Sequence, residues 1–270
     1  MKKVKIPNGV AMLMWVLVFM AIWEIGAKAI ETSKRSPENV LPHLYQIVGE
    51  IVSDKPVANG QSAIMVVLFS AGKTLLRALY GFVLGTIIGF LVALLLKFSK
   101  VAEKTIFPYL MLIQMVPILG MAPIILAITG SINVSRVIIA AILTFYPVAT
   151  NTLAGFNAVE REKYELMYSY AASKATIYRK VLIPYSIPYF FTGLKISAPM
   201  AITASILVDT LQGDGGLGCM LSQSQKHAMS IYVFWIIIFF SALTGILSSK
   251  LMGIIETLFT PQNRKRRCKL

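Results

Sequence analysis

Few residues in this chain have the types and spacing that would let them carry out chemistry together. The two histidines, His43 and His227, are far apart, and so are the two cysteines, Cys219 and Cys268. No group of His, Cys, Asp and Glu has the spacing of a zinc site, and two cysteines are too few for a disulfide framework. We interpret both histidines as solvated loop residues. With 12 acidic residues, mostly in loops, the chain lacks the clustered acids and bases of a membrane enzyme.

One segment superficially resembles a nucleotide-binding loop. Gly72-Lys73-Thr74 ends like the pattern G-x-x-x-x-G-K-[ST], in which backbone N–H groups hold phosphates. The earlier glycine of that pattern is missing, and the segment stands where an apolar stretch begins. We therefore expect no bound cofactor in this chain, and neither ATP binding nor hydrolysis by it.

The remaining candidates are charged residues within or beside apolar segments. An ionisable residue inside a membrane is a functional candidate by default, and Lys195 is one, although we favour a structural role for it. Lys73 and Arg77 are four residues apart and share a helix face. They are suited to attracting an anionic substrate, to docking a binding protein, or to anchoring the helix at the membrane surface.

The composition identifies an integral membrane protein. The 270 residues are 56% hydrophobic and 14% charged, with a mean hydropathy of +0.71, whereas a soluble domain carries about 25% charged residues. The formal charge of +14 would indicate nucleic acid in a soluble chain. Here lysine and arginine concentrate in alternate loops, as expected for membrane orientation and contact with the lipid bilayer. We expect no nucleic-acid partner.

Six spans are predicted, with both termini on the cytoplasmic side because of the basic loops. They cover residues 9 to about 30, 74–96, 105–135, 137–157, 187–211 and 230–249. A signal peptide cleaved after Ala29 is the alternative for the first span. We assign residues 1–9 to a cytoplasmic N-terminus, 10–250 to the membrane domain and 251–270 to a basic cytoplasmic tail. We interpret this tail as solvated, with acylation of Cys268 as the alternative.

Small residues and prolines shape the second and third spans. Gly81, Gly85 and Gly89 repeat every four residues and form one smooth face, which allows helices to approach closely in lipid. Three prolines in the third span should kink or break it. Between residues 31 and 61 we expect a loop with one short helix near residues 44–51. The segment 212–218, QGDGGLG, should not be helical through its middle.

The segment 160–184 is the longest polar-enriched stretch between apolar segments. Tyr164, Met167, Tyr168 and Ala171 share one helix face, and Ser173 is placed to cap a second helix. Pro184 is expected to stop that second helix. A regular loop of this length is suited to being held by another protein; the alternative is a helix pair lying on the lipid surface.

This segment resembles the EAA loop of ABC importer permeases. That loop has the pattern E-A-A, three residues, G, nine residues, I, one residue, L-P. The matching positions are Glu165, Ala171, Val181, Ile183 and Pro184. Because alanine replaces the glycine at 171, we predict a turn made without a left-handed glycine, with Ser173 capping the second helix.

Other segments between residues 20 and 250 resemble, in the same order, the nitrate, sulfonate and taurine branch of these permeases. That branch also includes permeases for pyrimidine thiamine precursors and for riboflavin. The corresponding positions are Trp23-Glu24, Val40-Leu41-Pro42, Leu76-Arg77 with Gly81 and Gly85, Pro117 with Ala122-Pro123 and Gly130, residues 145–159, Ile187-Pro188-Tyr189, Gly193-Leu194-Lys195, Val208-Asp209 and Gly215 to Gly218.

The resemblance implies an all-α membrane protein with the six-helix fold of type I ABC importers. Such permeases work as dimers, so a second permease copy is expected, together with two ATPase subunits that bind ATP and magnesium. An extracellular or periplasmic binding protein delivers a small polar solute, and the location is the bacterial inner membrane. The coupling positions implied here are Glu165, Tyr168, Tyr170, Ala171, Ser173, Tyr178 and Pro184.

The pathway is assigned by the same resemblance. Its candidates are Met200, Thr203, Ser205, Asp209 and Arg77, with Gly216 and Gly218 shaping the outer gate. Pro199-Met200 stands where the family often has Gly-Arg, and losing that cation argues against a small anion as substrate. The alternative function is a secondary transporter or channel, which would predict inverted repeats; we find none.

Overall fold

A computed structural model describes residues 8–34, 36–58, 60–211, 215–226 and 230–260. Within them the chain is almost entirely helical, apart from a short hairpin of β1 and β2. The elements in order are α1 (Asn8–Ser33), α2 (Leu44–Val52), β1 (Pro56–Ala58), β2 (Gln61–Ser62), α3 (Ala63–Phe98), α4 (Lys100–Met115), α5 (Ile118–Thr129), α6 (Ile132–Asn157), α7 (Arg161–Ser169), α8 (Lys174–Ile177), α9 (Ile183–Leu211), α10 (Leu217–Gln225) and α11 (Ile231–Phe259).

Within the described residues, five helical segments are long and apolar enough to cross a membrane: α1, α3, α6, the segment Lys174–Leu211 that contains α9, and α11. The pair α4 and α5 forms a sixth candidate, bent by 106° where the two helices meet. The break follows Val116, because Pro117 cannot donate a backbone hydrogen bond and stands at the N-cap of α5. The predicted break in the third span is confirmed.

Several predicted helix boundaries differ from those of the structure. The second span was predicted to begin at Thr74, but α3 already begins at Ala63. The last helix continues to Phe259, so the expected start of the tail at residue 251 falls inside it. The helix α10, which begins at Leu217, was not predicted. Cys268 and His227 lie outside the described residues.

The chain divides into two compact units. The first contains residues 1–69 and 220–239, of which α1 and α2 are the main described parts. Trp23 Nε1 donates to Pro42 O at 3.0 Å, and the Trp23 ring meets Trp235 edge-on at 4.8 Å. The Glu24 carboxylate accepts from Leu44 N at 2.8 Å and contacts His43 Nδ1 at 2.6 Å. The Trp-Glu pair therefore holds the start of α2.

His43 is consequently not the solvated loop residue that we expected. Its Nε2 also lies 3.6 Å from Glu31 Oε2, so carboxylates face both ring nitrogens. The hydrogen bond to Glu24 raises the pKa of His43 above its ordinary value.

The second unit contains residues 70–219 and 240–270. Its most extensive helix contact is between α6 and α9. The predicted glycine face of α3 packs closely against α6: an added Cβ would lie 2.3 Å from Ala140 Cβ at Gly81 and 2.5 Å from Ala141 O at Gly85. Such distances are below van der Waals contact, so only glycine fits there. The close helix approach predicted from the glycine spacing is confirmed.

Candidate functional site

The first candidate site is the segment 160–184. It forms two helices, α7 and α8, and the helix breaks between Ser169 and Lys174 as predicted. Ser173 Oγ accepts from Thr176 N at 3.3 Å, which confirms the predicted cap. Ala171 has φ +48° and is the only described residue other than glycine with a positive φ. The turn therefore keeps the left-handed conformation, with alanine in the place of glycine.

One prediction about this segment is wrong. Pro184 does not stop the second helix, because a π-helical turn from Tyr178 to Leu182 connects α8 to α9 without a gap. Ile183 N–H bonds to Tyr178 O, five residues earlier. This wider turn accommodates the missing N–H of Pro184, as π-bulges do in other helices. The loop and the following membrane helix therefore form one continuous segment, Lys174–Leu211.

The two faces of the segment differ. Ile177 and Leu182 are buried in a cluster with Phe156 and Leu96, and Tyr164 and Met167 pack against the same cluster. The opposite face is open: Tyr168 is 64% exposed and Tyr170 76% exposed.

Although Tyr168 was predicted to share one helix face with Tyr164 and Met167, it is mostly exposed, whereas those two residues pack against the buried cluster. Glu165 is exposed and accepts from Arg161 Nε at 2.8 Å.

The second candidate site is an ion cluster around Asp209. This carboxylate is fully buried, and its Oδ1 lies 2.6 Å from Arg136 Nε and 3.5 Å from Arg77 Nη1. Its Oδ2 accepts from Thr74 Oγ1 at 2.9 Å. Arg136 is also fully buried. The cluster ties together α3, α6 and α9.

The same cluster holds the glycine-rich turn before α10. Thr74 Oγ1 accepts from Leu217 N at 2.9 Å, and Arg77 Nη1 donates to Gly215 O at 3.2 Å. Gly216 has φ +104°, and an added Cβ would lie 2.2 Å from Asp209 Oδ2. At Gly218 it would lie 2.0 Å from Ile206 O. Both glycines allow the turn to approach α9 closely.

The pathway candidates do not form one exposed set. Asp209 and Ser205 are fully buried, which argues against the prediction that they face an open pathway. Ser205 Oγ donates to Thr74 O at 3.2 Å, so it joins α9 to α3. Thr203 is exposed and Met200 half-buried; their place on the pathway stays a prediction.

Two important residues were missed. Arg136 was not recognised as a candidate, and the partner of Lys195 was not identified. Lys195 Nζ contacts Glu256 Oε2, which fits the structural role favoured for it. Because a buried charge needs an opposite charge, Asp209 within an apolar segment is a signal for a basic partner, although not for Arg136 in particular.

A shallow groove lies between α9 and α11. It encloses about 400 Å³ and is lined by Pro199, Ile202, Thr203, Ile206, Ser241, Ala242, Gly245, Ile246 and Ser249. None of these described residues is charged. The groove thus offers aliphatic surface and hydroxyl groups.

A bundle of apolar helices with a broken third span and a two-helix loop before the fifth defines the transmembrane domain of a type I ABC importer. An inward facing structure of the MetNI methionine ABC transporter has this fold, with a TM-score of 0.64 and 17% identity, covering 73% of this chain and 97% of that chain. A crystal structure of an amino acid ABC transporter has a TM-score of 0.61 and 22% identity, covering 72% and 94%.

The chain belongs to the family described as binding-protein-dependent transport system inner membrane component, whose model matches residues 85–261. It is 28% identical over 250 residues to the formylaminopyrimidine transport permease protein ThiX of Halalkalibacterium halodurans, covering 93% of this chain and 94% of that protein. It is 25% identical over 252 residues to the nitrate import permease protein NrtB of Synechococcus elongatus, covering 92% and 88%.

The chain is therefore an inner-membrane permease component of an ABC importer, and its relatives are transport proteins rather than enzymes. The family implies an ATPase and a substrate-binding protein as partners. A secondary transporter or channel is not favoured.

Proposed function

We propose that the segment 160–184 is the surface through which ATPase subunits drive this permease. The observation that carries the proposal is the contrast between its two faces. Ile177 and Leu182 anchor it in the helix bundle, whereas Tyr168 and Tyr170 point outward with most of their surface exposed. Tyrosine offers a large, rigid contact area at low entropic cost and is enriched at binding hot spots.

The proposed motion is a displacement of the loop that the continuous helix transmits into the membrane domain. Because no gap separates the loop from α9, a displacement of α8 moves α9 as a rod about 43 Å long. Asp209 stands near the far end of that rod and holds Arg136 and Thr74. Movement of α9 would then be transmitted to the glycine turn at Gly215–Gly218. ATP would be bound and hydrolysed by the partner ATPase, not by this chain.

We place the loop and both termini in the cytoplasm, because the basic residues concentrate on that side. Two permease copies with two ATPases would form the complete importer, with the pathway between the copies. Thr203 and Met200 on α9 are the proposed lining residues. Arg77, Gly216 and Gly218 would shape the outer gate, with Asp209 holding them in place from within the protomer.

For the substrate we propose an uncharged, heteroaromatic solute rather than a small anion. The groove between α9 and α11 offers hydroxyl groups from Thr203 and Ser249 without any charged lining residue. Ligand sites of this type combine apolar surface with a few polar groups, whereas nitrate would require a cation or several strong donors. The formylaminopyrimidine permease among the relatives fits this chemistry.

Charge reversal at Glu165 tests the coupling proposal. We expect Glu165→Arg to reduce ATP-driven uptake at least tenfold, equivalent to about 1.4 kcal/mol, while the protein still reaches the membrane. The matched control is the swap Arg161→Glu with Glu165→Arg, which restores an ion pair within α7. Uptake should stay low in the swap if Glu165 contacts the ATPase. Unchanged uptake in the single variant, or full recovery in the swap, would contradict the proposal.

Identifying the ligand of the partner substrate-binding protein by thermal unfolding tests the substrate proposal. We expect its melting temperature to rise with a pyrimidine precursor or riboflavin and to stay constant with nitrate and sulfonates. A shift produced only by nitrate or a sulfonate would refute it. Uptake of the same compounds by the assembled importer provides the independent check.

A further inference from the structure

A cavity of about 700 Å³ lies beside the segment 160–184, where α3 ends and α4 begins. Its wall combines cations with aromatic rings. The cations are Lys97, Lys100, Arg161 and Lys174, and the wall also includes Tyr164 and Glu103. Below them, Leu182 and Ile177 close the cavity with buried apolar side chains. The cavity lies at one end of a membrane helix, because Lys97 is in the last turn of the span α3.

The charge of this wall is strongly positive. Glu103 is the only acidic residue among the described residues that line the cavity, and its Oε1 already accepts from Asn157 Nδ2 at 3.1 Å. Lys97 Nζ donates to Asn157 Oδ1 at 2.7 Å. Within the described parts of the chain, neither Lys100 nor Lys174 has an acidic partner. The cavity therefore presents ammonium groups that are available to an anion.

An independent observation also points to a ligand. Tyr164 is one of the residues that line this cavity, and its hydroxyl is buried without a hydrogen-bond partner among the described residues. Buried polar groups are almost always satisfied, by protein, water or ligand. Burial raises the pKa of Tyr164, so the hydroxyl keeps its proton and can donate. An acceptor with several oxygens would satisfy both the hydroxyl and the lysines.

We propose that this cavity binds the phosphate group of an acidic phospholipid, with Lys100, Lys174 and Tyr164 as its donors. Basic pockets beside the ends of membrane helices bind anionic headgroups in this way. Phe98 at the cavity is 73% exposed and would contact the acyl chains at the membrane surface. A bound headgroup would bridge α4 and α8, and would stabilise the junction between the coupling segment and the bundle.

The test uses the purified full-length chain in nanodiscs of phosphatidylcholine with increasing phosphatidylglycerol. Thermal unfolding and native mass spectrometry report stabilisation and retained lipid. We expect phosphatidylglycerol to raise the melting temperature, and Lys100→Gln and Lys174→Gln each to weaken its binding about fivefold. The matched control is Lys104→Gln, which removes an exposed lysine of α4 that does not line the cavity. This variant should bind phosphatidylglycerol like the unmodified protein.

Tyr164→Phe removes only the hydroxyl and keeps the ring in its packing. It should weaken phosphatidylglycerol binding while the melting temperature in pure phosphatidylcholine does not fall. A general attraction of the basic surface to the bilayer would not respond to this change. Equal losses of phosphatidylglycerol binding in Lys104→Gln and Lys100→Gln would indicate such a general attraction and would overturn the proposal.

Separate arms identify the source of the phosphate. Inorganic phosphate and glycerol 3-phosphate are added to the protein in pure phosphatidylcholine. If these soluble anions stabilise the protein weakly or not at all, whereas phosphatidylglycerol has a clear effect, the lipid is the source of the phosphate. Equal stabilisation by the soluble anions would overturn the lipid as the source. Loss of ATPase co-purification in Lys100→Gln without any lipid effect would assign the cavity to the ATPase and also overturn the proposal.

Discussion

Removing the carboxylate of Asp209 should destabilise the protein more than most single substitutions do. In Asp209→Ala the fully buried Arg136 loses an ion pair of 2.6 Å, and Thr74 loses its acceptor at 2.9 Å. Breaking a buried ion pair by removing one partner costs about 3–5 kcal/mol, because the other charge stays buried. We expect a loss of this size in the free energy of unfolding.

The assay is thermal unfolding of the purified protein in detergent. A loss of about 3–5 kcal/mol corresponds to a fall in the melting temperature of roughly 6–20 °C. The matched control is Thr203→Ala, which removes an exposed hydroxyl from the same helix and should shift the melting temperature by less than about 2 °C.

A double-mutant cycle separates the ion pair from general damage to the core. The combination Asp209→Leu with Arg136→Met removes both charges and fills the space with apolar atoms. It should be more stable than either single variant, because no charge of the pair is left buried. Strictly additive losses, or a melting temperature for Asp209→Ala within about 2 °C of the unmodified protein, would refute the role assigned to this cluster.

Three further predictions concern the close packing of α3, the turn at Ala171 and the contact between His43 and Glu24. Gly85→Ala places a Cβ 2.5 Å from Ala141 O and should lower the free energy of unfolding by about 1–3 kcal/mol, measured by thermal unfolding. Ala171→Gly relieves φ +48° and should stabilise the protein by about 1 kcal/mol without loss of uptake. The raised pKa of His43 means that its contribution to stability is fully present below about pH 6.5 and is lost as pH rises through the raised value. Melting temperatures should accordingly decline above pH 6.5, and His43→Gln should flatten that dependence.

Each of these predictions has its own control or contradicting result. Gly72→Ala meets nothing within 4 Å, so it should be close to neutral, and equal losses at Gly72 and Gly85 would contradict the packing argument. A less stable Ala171→Gly would mean that the turn carries no strain. An unchanged pH profile in His43→Gln would contradict a stabilising contact between His43 and Glu24; His227→Gln serves as the comparison.

The fold was largely predictable because its signals are local. The glycine repeat at Gly81, Gly85 and Gly89 specified a close helix contact, and Ser173 specified a cap, since both depend on residues a few positions apart. Residues 23–24 and 40–42, which both match the family, contact one another although they are about 20 positions apart: Trp23 donates to Pro42 O, and Glu24 accepts from Leu44 N.

The prediction for Asp209 failed because it depends on a partner far away in the sequence. Asp209 and Arg136 are 73 residues apart, and nothing in the spacing of either residue reveals the other. A charge in an apolar segment therefore looked like a pathway residue, although the fold buries it in an ion cluster. Pro184 was misjudged for a different reason, because a π-turn can absorb a missing N–H and leave the helix continuous.

The most direct measurement of the central claim is site-specific photo-crosslinking of the loop to the ATPase. A photo-reactive phenylalanine analogue at Tyr170, 76% exposed on the coupling segment, is compared with the same analogue at Tyr45, 70% exposed on α2. We predict a covalent adduct between the permease and the ATPase subunit from position 170 and none from position 45. Adducts of equal yield from both positions, or none from Tyr170 in an importer that still transports, would contradict the claim that the segment 160–184 couples ATP hydrolysis to transport.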